Sequence, residues 1–267
     1  MAANISFDFS GKRVLVTGSN SGIGLETARA FARAGADVAL NSFSNSEADH
    51  ALAHDLAQET GRKCTYIPAD LSKREDATSL VTRCQRELGG VDILVNNAGI
   101  QHVSPVDEFS DDAWDRVTEI NLSSQFATAR AAIPAMRKAG WGRIVNVASA
   151  HGLHASANKS AYIAAKHGVV GLSKTIALEE AETGITCNAV CPGYVFTPII
   201  EGQIPDQMEQ TGLSREAVIR DVLLTKQPTK RFIEMEEIAA AILYLSSDLA
   251  KSITGHAFAV DGGWGAI

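Results

Sequence analysis

The segment from Lys12 to about Ala34 constrains the fold more than any other stretch. Lys12-Arg-Val-Leu-Val-Thr17 reads as a short apolar strand. Gly18-Ser-Asn-Ser-Gly22-Ile-Gly24 reads as a turn, and the residues after it as a helix. A strand that leaves through a glycine-rich turn into a helix is the opening of a βαβ unit. Gly18 makes the tight turn, Gly22 lets backbone approach a pyrophosphate, and Gly24 lets the helix pack on the sheet. The helix N-terminus adds unpaired N–H groups and positive potential. The spacing points to a dinucleotide rather than to a plain turn.

The alternation continues along the chain. Further strands are expected at 36–43, 63–67, 92–96, 143–149, 186–191 and 257–260. Helices are expected at 46–60, 73–88, 111–139, 157–181 and 235–246. Strand–helix alternation of this kind builds an α/β fold with a parallel sheet. A chain of 267 residues, 45% of them hydrophobic, suits one large domain over 1–267. The polar segment 199–227 carries two short amphipathic helical stretches. It follows a strand's C-terminal end, where ligands bind in such sheets, and suits a lid.

A net charge of −7 argues against nucleic acid or an anionic membrane as the main partner. No apolar run spans a bilayer, and the first residues lack a signal-peptide core, so a cytoplasmic protein is expected. Cys187 and Cys191 share a predicted strand, which puts their α-carbons roughly 13 Å apart. That is too far for a disulfide, so free thiols are expected. No metal is expected either. His50 and His54 stand at i,i+4, but Glu47, Asp49, Asp55 and Gln58 around them are those of a solvated face.

The end of the second strand reads Asn41-Ser42-Phe43. A carboxylate there would bind the 2′-hydroxyl of NAD, and a basic residue would favour the 2′-phosphate of NADP. Neither is present. Asp37 stands at the wrong end of the strand, and no Lys or Arg lies between Asp37 and Thr60. An unpaired 2′-phosphate would find no partner, so NAD is favoured. Phe43 suits either the adenine or the core. Asp70, at the third strand's end, suits the adenine amino group or the entry to the next helix. After the fourth strand, Ala98 and Gly99 are small enough for a passing ribose. The paired Asn96 and Asn97 can tie strands together.

Tyr162 and Lys166 lie in the stretch SAHGLHASANKSAYIAAK, residues 149–166. On a helix they share one face, one turn apart. A phenol has an ordinary pKa of about 10. An ammonium one turn away favours the phenolate. Ser149, at a strand's end, can hold a substrate oxygen against the Tyr. Asn121 inside a helix has poor propensity and points to a kink or a held water. Lys159, near Tyr162, fits a carboxylate anchor, though spacing alone suits a solvated lysine. His167 points off the Lys166 face and is expected to pack.

With these residues placed, the chain resembles the short-chain dehydrogenase/reductase family over nearly its whole length. The motifs are TGSNSGIG (17–24), NNAG (96–99), Asn121, Ser149 with YIAAK (162–166), and CPGYVFTP (191–198). The resemblance implies a doubly wound Rossmann-type domain, with a seven-stranded parallel sheet, helices on both faces and a helical lid at about 196–227. It implies a catalytic set of Asn121, Ser149, Tyr162 and Lys166. Asn121 would hold a water, and Lys166 would also bind the nicotinamide ribose. Dinucleotide contacts are implied for Gly18, Asn20, Ser21, Gly22, Ile23, Gly24, Phe43, Asp70, Leu71, Asn97, Ala98 and Gly99. Tyr162, Lys166, Pro192, Gly193, Val195 and Thr197 complete that set. A homotetramer is implied, with the Asn121 and Tyr162 helices against partner copies.

Within the family the chain is most similar to the bacterial D-3-hydroxybutyrate dehydrogenases. NNAGIQH (96–102), residues 149–172, TKQP (225–228), VDGGW (260–264) and LNSF (40–43) carry this. The narrower resemblance implies NAD and a small hydroxy or keto acid. Gln101, His151, Lys159 and Gln203 would hold its carboxylate. Ser149, Tyr162, Tyr194 and Trp264 would complete the substrate pocket. Tyr194 departs from the group, which usually has Trp there, and changes the pocket wall. The Trp264 tail is also a candidate for reaching a neighbouring subunit. Another small hydroxy acid, or a regulator that binds NAD without turnover, stays open at this point.

Overall fold

The computed structural model describes residues 6–266, apart from the side chains of Pro198, Ile199 and Gln203. The first half alternates β1 (Arg13–Val16), α1 (Gly22–Arg33), β2 (Asp37–Leu40), α2 (Glu47–Thr60), β3 (Cys64–Tyr66), α3 (Arg74–Leu88) and β4 (Ile93–Asn96). The second half contains α4 (Asp111–Thr118), α5 (Ser124–Ala139), β5 (Gly142–Val147), α6 (Ser160–Glu179) and β6 (Ile185–Pro192). It continues with α7 (Pro198–Thr211), α8 (Arg215–Ala217), α9 (Met235–Ser246) and β7 (Ala257–Val260). The strands are parallel and form one sheet in the order β3-β2-β1-β4-β5-β6-β7.

The strands are apolar on both sides because both sheet faces are covered. Successive residues point to opposite faces. Val14, Val16, Val38, Leu40, Ile93 and Val95 enter one core, with Phe31 of α1 and Ile238 and Ile242 of α9. Leu15, Ala39 and Leu94 enter the other, with Leu80 and Val81 of α3 and Ala132 and Met136 of α5. The chain reverses direction across the sheet between β1 and β4. Such a switch point leaves a crevice at the strands' carboxyl ends.

Several boundaries differ from the sequence expectation. β2 stops at Leu40, because Asn41 turns inward: its Nδ2 donates to the Ile67 carbonyl at 3.0 Å. β5 stops at Val147, two residues before Ser149. The helix expected over 111–139 is split by a π-turn at Glu119–Ser123. Asn121 lies inside that turn, and its Nδ2 donates to the Val117 and Ile100 carbonyls, both at 2.8 Å. A side chain that takes the i−4 carbonyl competes with the backbone ladder. The helix expected from 157 begins at Ser160, after Asn158 adopts φ 62°.

The four cysteines are free. His50 Nε2 pairs with Asn45 Oδ1 at 2.8 Å, and its ring meets Tyr66. Among the described residues, no helix is long and apolar enough to cross a membrane.

Candidate active site

The carboxyl ends of β1, β4, β5 and β6 open onto a cleft of about 560 Å³. Gly99, Gln101, Asn121, Ser149, Tyr162, Lys166, Pro192, Gly193, Ile23 and Val195 line it, with Asn97. Residues far apart in sequence meet here because each follows a strand of the same sheet.

Ser149 lies just beyond β5, and its Oγ accepts from the His151 N–H at 3.1 Å. That leaves the hydroxyl proton for another oxygen. Tyr162 and Lys166, one turn apart on α6, both face the cleft. Burial raises the Tyr162 pKa, and the Ser149 hydroxyl partly offsets this. Burial lowers Lys166 to about 8. In this structure burial outweighs the neighbouring ammonium at Tyr162. Its Nζ donates to the Val147 carbonyl at 2.8 Å and lies 5.6 Å from the Tyr162 ring centre. Desolvation favours the neutral form of both groups.

The glycine turn fits a dinucleotide phosphate. Gly18 and Gly22 have φ of 59° and 56°. A Cβ at Gly24 would stand 2.3 Å from the Gly18 carbonyl oxygen, while one at Gly22 would meet nothing within 4 Å. Ser21 makes no side-chain cap to α1, and the helix's first turn holds no acidic residue. Its leading N–H groups are thus available to an anion. Asn41 and Ser19 clamp the turn: Ser19 N donates to the Asn41 carbonyl at 2.7 Å, and Asn41 N to Ser19 Oγ at 2.9 Å. Asn97 Nδ2 donates to the Thr17 and Gly18 carbonyls at 3.0 and 2.8 Å. Asn96 Nδ2 donates to Asn146 Oδ1 at 2.9 Å, so the paired asparagines do tie strands together.

The remaining cofactor candidates divide by exposure. Phe43 is 79% exposed, so it is no core residue. Leu71 is buried in the core, which leaves only its backbone to face a ligand. Asp70 closes the turn into α3 by accepting from Ser72 N and Oγ at 3.1 and 2.7 Å. Asn20 Nδ2 donates to Asp49 Oδ1 at 3.0 Å. Asp37, at the start of β2, binds Arg62 at 3.1 Å, far from the strand's end. Ala98 packs against Gly18, and Thr197 caps α7 by accepting from Ile200 N at 3.4 Å.

Beyond Tyr162 lies an aromatic box. Trp264 is buried, with Tyr194 stacked on it at 5.7 Å and 9°. His154 is stacked at 6.4 Å and 11°, and His151 meets the indole edge-on at 5.1 Å. The tail packs Trp264 against its own chain. Asp261 holds it there by accepting from Gly263 N and Gly265 N. Lys159 precedes α6, half-buried, and its pKa is lowered by burial and then by Lys226. Burial, then Lys159 and Lys226, push His151 down to about 4. Gln203 falls on α7, but its side chain lies outside the described residues. His167 is exposed rather than packed, with Nδ1 3.0 Å from the Ile163 carbonyl.

Two residues escaped the sequence reading. Gln227 is fully buried, and its Oε1 accepts from Tyr194 N at 2.9 Å. Lys226 reaches Ser156 Oγ at 3.0 Å. Both lie in the TKQP motif, which was the available signal. Which side chain points where depends on packing 30 or more residues away.

The family model described as enoyl-(acyl carrier protein) reductase matches residues 18–265. A D-beta-hydroxybutyrate dehydrogenase of Rhizobium meliloti is 49% identical over 253 residues, 95% of this chain and 98% of the relative. One of Cupriavidus necator is 46% identical over 255 residues, 96% of this chain and 98% of the relative. The L-sorbose reductase of Gluconobacter frateurii, solved with NADPH and L-sorbose, has a TM-score of 0.92 at 30% identity. That match covers 98% of this chain and 100% of the other. The chain belongs to the short-chain dehydrogenase/reductase family of oxidoreductases, whose Rossmann-type fold binds a nicotinamide dinucleotide.

Proposed function

We propose that the chain interconverts D-3-hydroxybutyrate and acetoacetate, with NAD as its dinucleotide. One observation carries this reading: Lys226 reaches Ser156 Oγ at 3.0 Å, Ser156 lies 2.9 Å from His151 Nε2, and the His151 ring meets that of Tyr162 edge-on, with half-buried Lys159 at the start of the Tyr162 helix. A proton-transfer site with cations at one end suits a small hydroxy acid, because charge-assisted hydrogen bonds to a carboxylate are strong and directional. The names of the relatives support the same substrate.

Bound dinucleotide supplies the hydride acceptor. Gly18 to Gly24 and the α1 N-terminus would hold its pyrophosphate. The missing cation at the β2 end favours NAD over NADP.

The chain's own residues handle the proton. In oxidation the Tyr162 phenolate takes the hydroxyl proton of the substrate, and in reduction the neutral phenol returns one. Ser149 donates to the same substrate oxygen and fixes it against the phenol. General acid–base help of this kind is worth about 10²–10⁴-fold. Lys166 is poised near neutrality, at about 8, which suits passing a proton on. Asn121 Oδ1 is a buried acceptor with no protein partner. A water held there connects Lys166 to solvent. Lys159, His151, Gln101 and Gln203 take the carboxylate. Tyr194 and Trp264 wall the carbon chain.

A longer 3-hydroxy acid is the second reading, carried by Tyr194 where the group usually has Trp. Exposed Trp114 on α4 and Phe126 on α5 support the tetramer that the family implies.

The test is a kinetic comparison of both 3-hydroxybutyrate enantiomers with NAD⁺ and NADP⁺, followed at the reduced-nicotinamide absorbance. Turnover of the D enantiomer with NAD⁺ is expected. Turnover of neutral alcohols but not of the acid would sink the substrate, and a requirement for NADP⁺ would sink the cofactor.

A further inference from the structure

Lys226, Ser156 and His151 form a chain of polar contacts between the lid's end and the loop before α6. Lys226 Nζ donates to Ser156 Oγ at 3.0 Å and to the Ala155 carbonyl at 3.2 Å. Ser156 Oγ lies 2.9 Å from His151 Nε2. The same ammonium sits 5.6 Å from the Trp264 ring centre, and that ring meets His151 edge-on.

Counting donors favours one placement of the protons. An ammonium has three protons and no lone pair, so at Ser156 it only donates. One lone pair of Oγ is then engaged, and the hydroxyl proton needs an acceptor. His151 Nε2 stands within reach and accepts it when unprotonated. The proton of the neutral ring is then on Nδ1. A doubly protonated ring is opposed from every side. It is 6% exposed, Lys159 and Lys226 add positive potential, and His154 and His167 also stand near it. Its other titratable neighbour is the Tyr162 phenol, 6.0 Å away between ring centres.

We propose that Lys226, acting through Ser156, is a positioning residue that holds His151 as the Nδ1–H tautomer. The ring then offers an N–H donor, rather than a lone pair, to an anionic substrate oxygen. The substrate half of this statement rests on the hydroxy-acid reading; the tautomer half does not.

Lys226 is exposed, so its replacement leaves the core intact. The test uses protein carrying ¹⁵N-histidine, in the wild type, Lys226→Met, Lys226→Arg and Ser156→Ala. Long-range ¹H–¹⁵N spectra distinguish protonated from unprotonated ring nitrogens. The wild type is expected to show Nδ1 protonated and Nε2 bare. Lys226→Met and Ser156→Ala are expected to mix the tautomers, and Lys226→Arg to keep the wild-type pattern.

In the two disrupting variants the KM for D-3-hydroxybutyrate should rise about 10-fold, and the KM for NAD⁺ should rise much less. A wild-type ring protonated at Nε2, or an unchanged pattern in either disrupting variant, overturns the proposal. Mixed tautomers with an unchanged KM overturn its substrate half. If the wild type does not oxidise 3-hydroxybutyrate at all, the functional reading fails separately, and the spectra still decide the role of Lys226.

Discussion

The backbone of Gly99 passes so close to Asn121 that a Cβ at residue 99 would stand 2.6 Å from Asn121 Oδ1. The same Cβ would lie 3.5 Å from Lys166 Nζ. The first distance is shorter than real contacts allow, so Gly99→Ala must move the Asn121 carboxamide. Small misplacements in such sites cost about 10²-fold in rate. We expect kcat to fall by about that factor, with an unchanged circular dichroism spectrum. Steady-state kinetics at wild-type rates would show that the carboxamide's position is unimportant.

Tyr162→Phe removes the proton-transfer group and keeps the ring. The expected loss in kcat is about 10²–10⁴-fold. Affinity for the reduced dinucleotide, read by its fluorescence, should change little. A variant within a few-fold of wild-type kcat would exclude Tyr162 as the acid–base group.

His151 makes stability depend on pH. Burial and nearby cations push its pKa to about 4, below the ordinary value of about 6.5. The unfolded chain therefore binds more protons between these values, and stability rises with pH across them. The contribution, about 3 kcal/mol, is complete above pH 6.5 and is lost as pH falls through 4. Urea unfolding at pH 4 and pH 7 checks this against His151→Gln. The wild type should lose more stability than the variant, and equal losses would refute the assignment.

Trp264 is 4% exposed and carries the stacks of Tyr194 and His154. Trp264→Ala should cost about 3–5 kcal/mol of stability. It should also raise the KM for the hydroxy acid more than the KM for the dinucleotide, because the box lies beyond Tyr162 and away from the glycine turn. Denaturant unfolding and kinetics measure the two effects. Equal rises in both KM values would place the box outside the substrate site.

Phe43 offers a route to a changed cofactor preference. It is 79% exposed just beyond β2, where a 2′-phosphate would need a cation. Phe43→Arg should improve kcat/KM with NADP⁺ by about 10-fold or more, the size of one charged hydrogen bond. An unchanged NADP⁺/NAD⁺ ratio would show that the ribose lies elsewhere.

Element order and type were legible in the sequence because they rest on local patterns. Seven apolar runs alternate with amphipathic ones, and the helix over 235–246 and the strand over 257–260 were read to the residue. Glycines at 18, 22 and 24 marked a turn whose φ angles and close contacts need glycine at specific points. The asparagines of NNAG tie strands as expected, because β4 and β5 place Asn96 and Asn146 in register.

What the sequence alone determined is therefore the order of the elements, and hence which residues follow strand ends and share the cleft. Tertiary structure decided where their atoms point. It turned Lys166 onto the Val147 carbonyl, opened the π-turn at Asn121, and folded Trp264 back between Tyr194 and His154. It also brought Lys226 to Ser156, 70 residues away in the chain. Periodicity and spacing act over one or two turns of chain. Side-chain direction and protonation are set by burial and by partners that only the packed fold brings together.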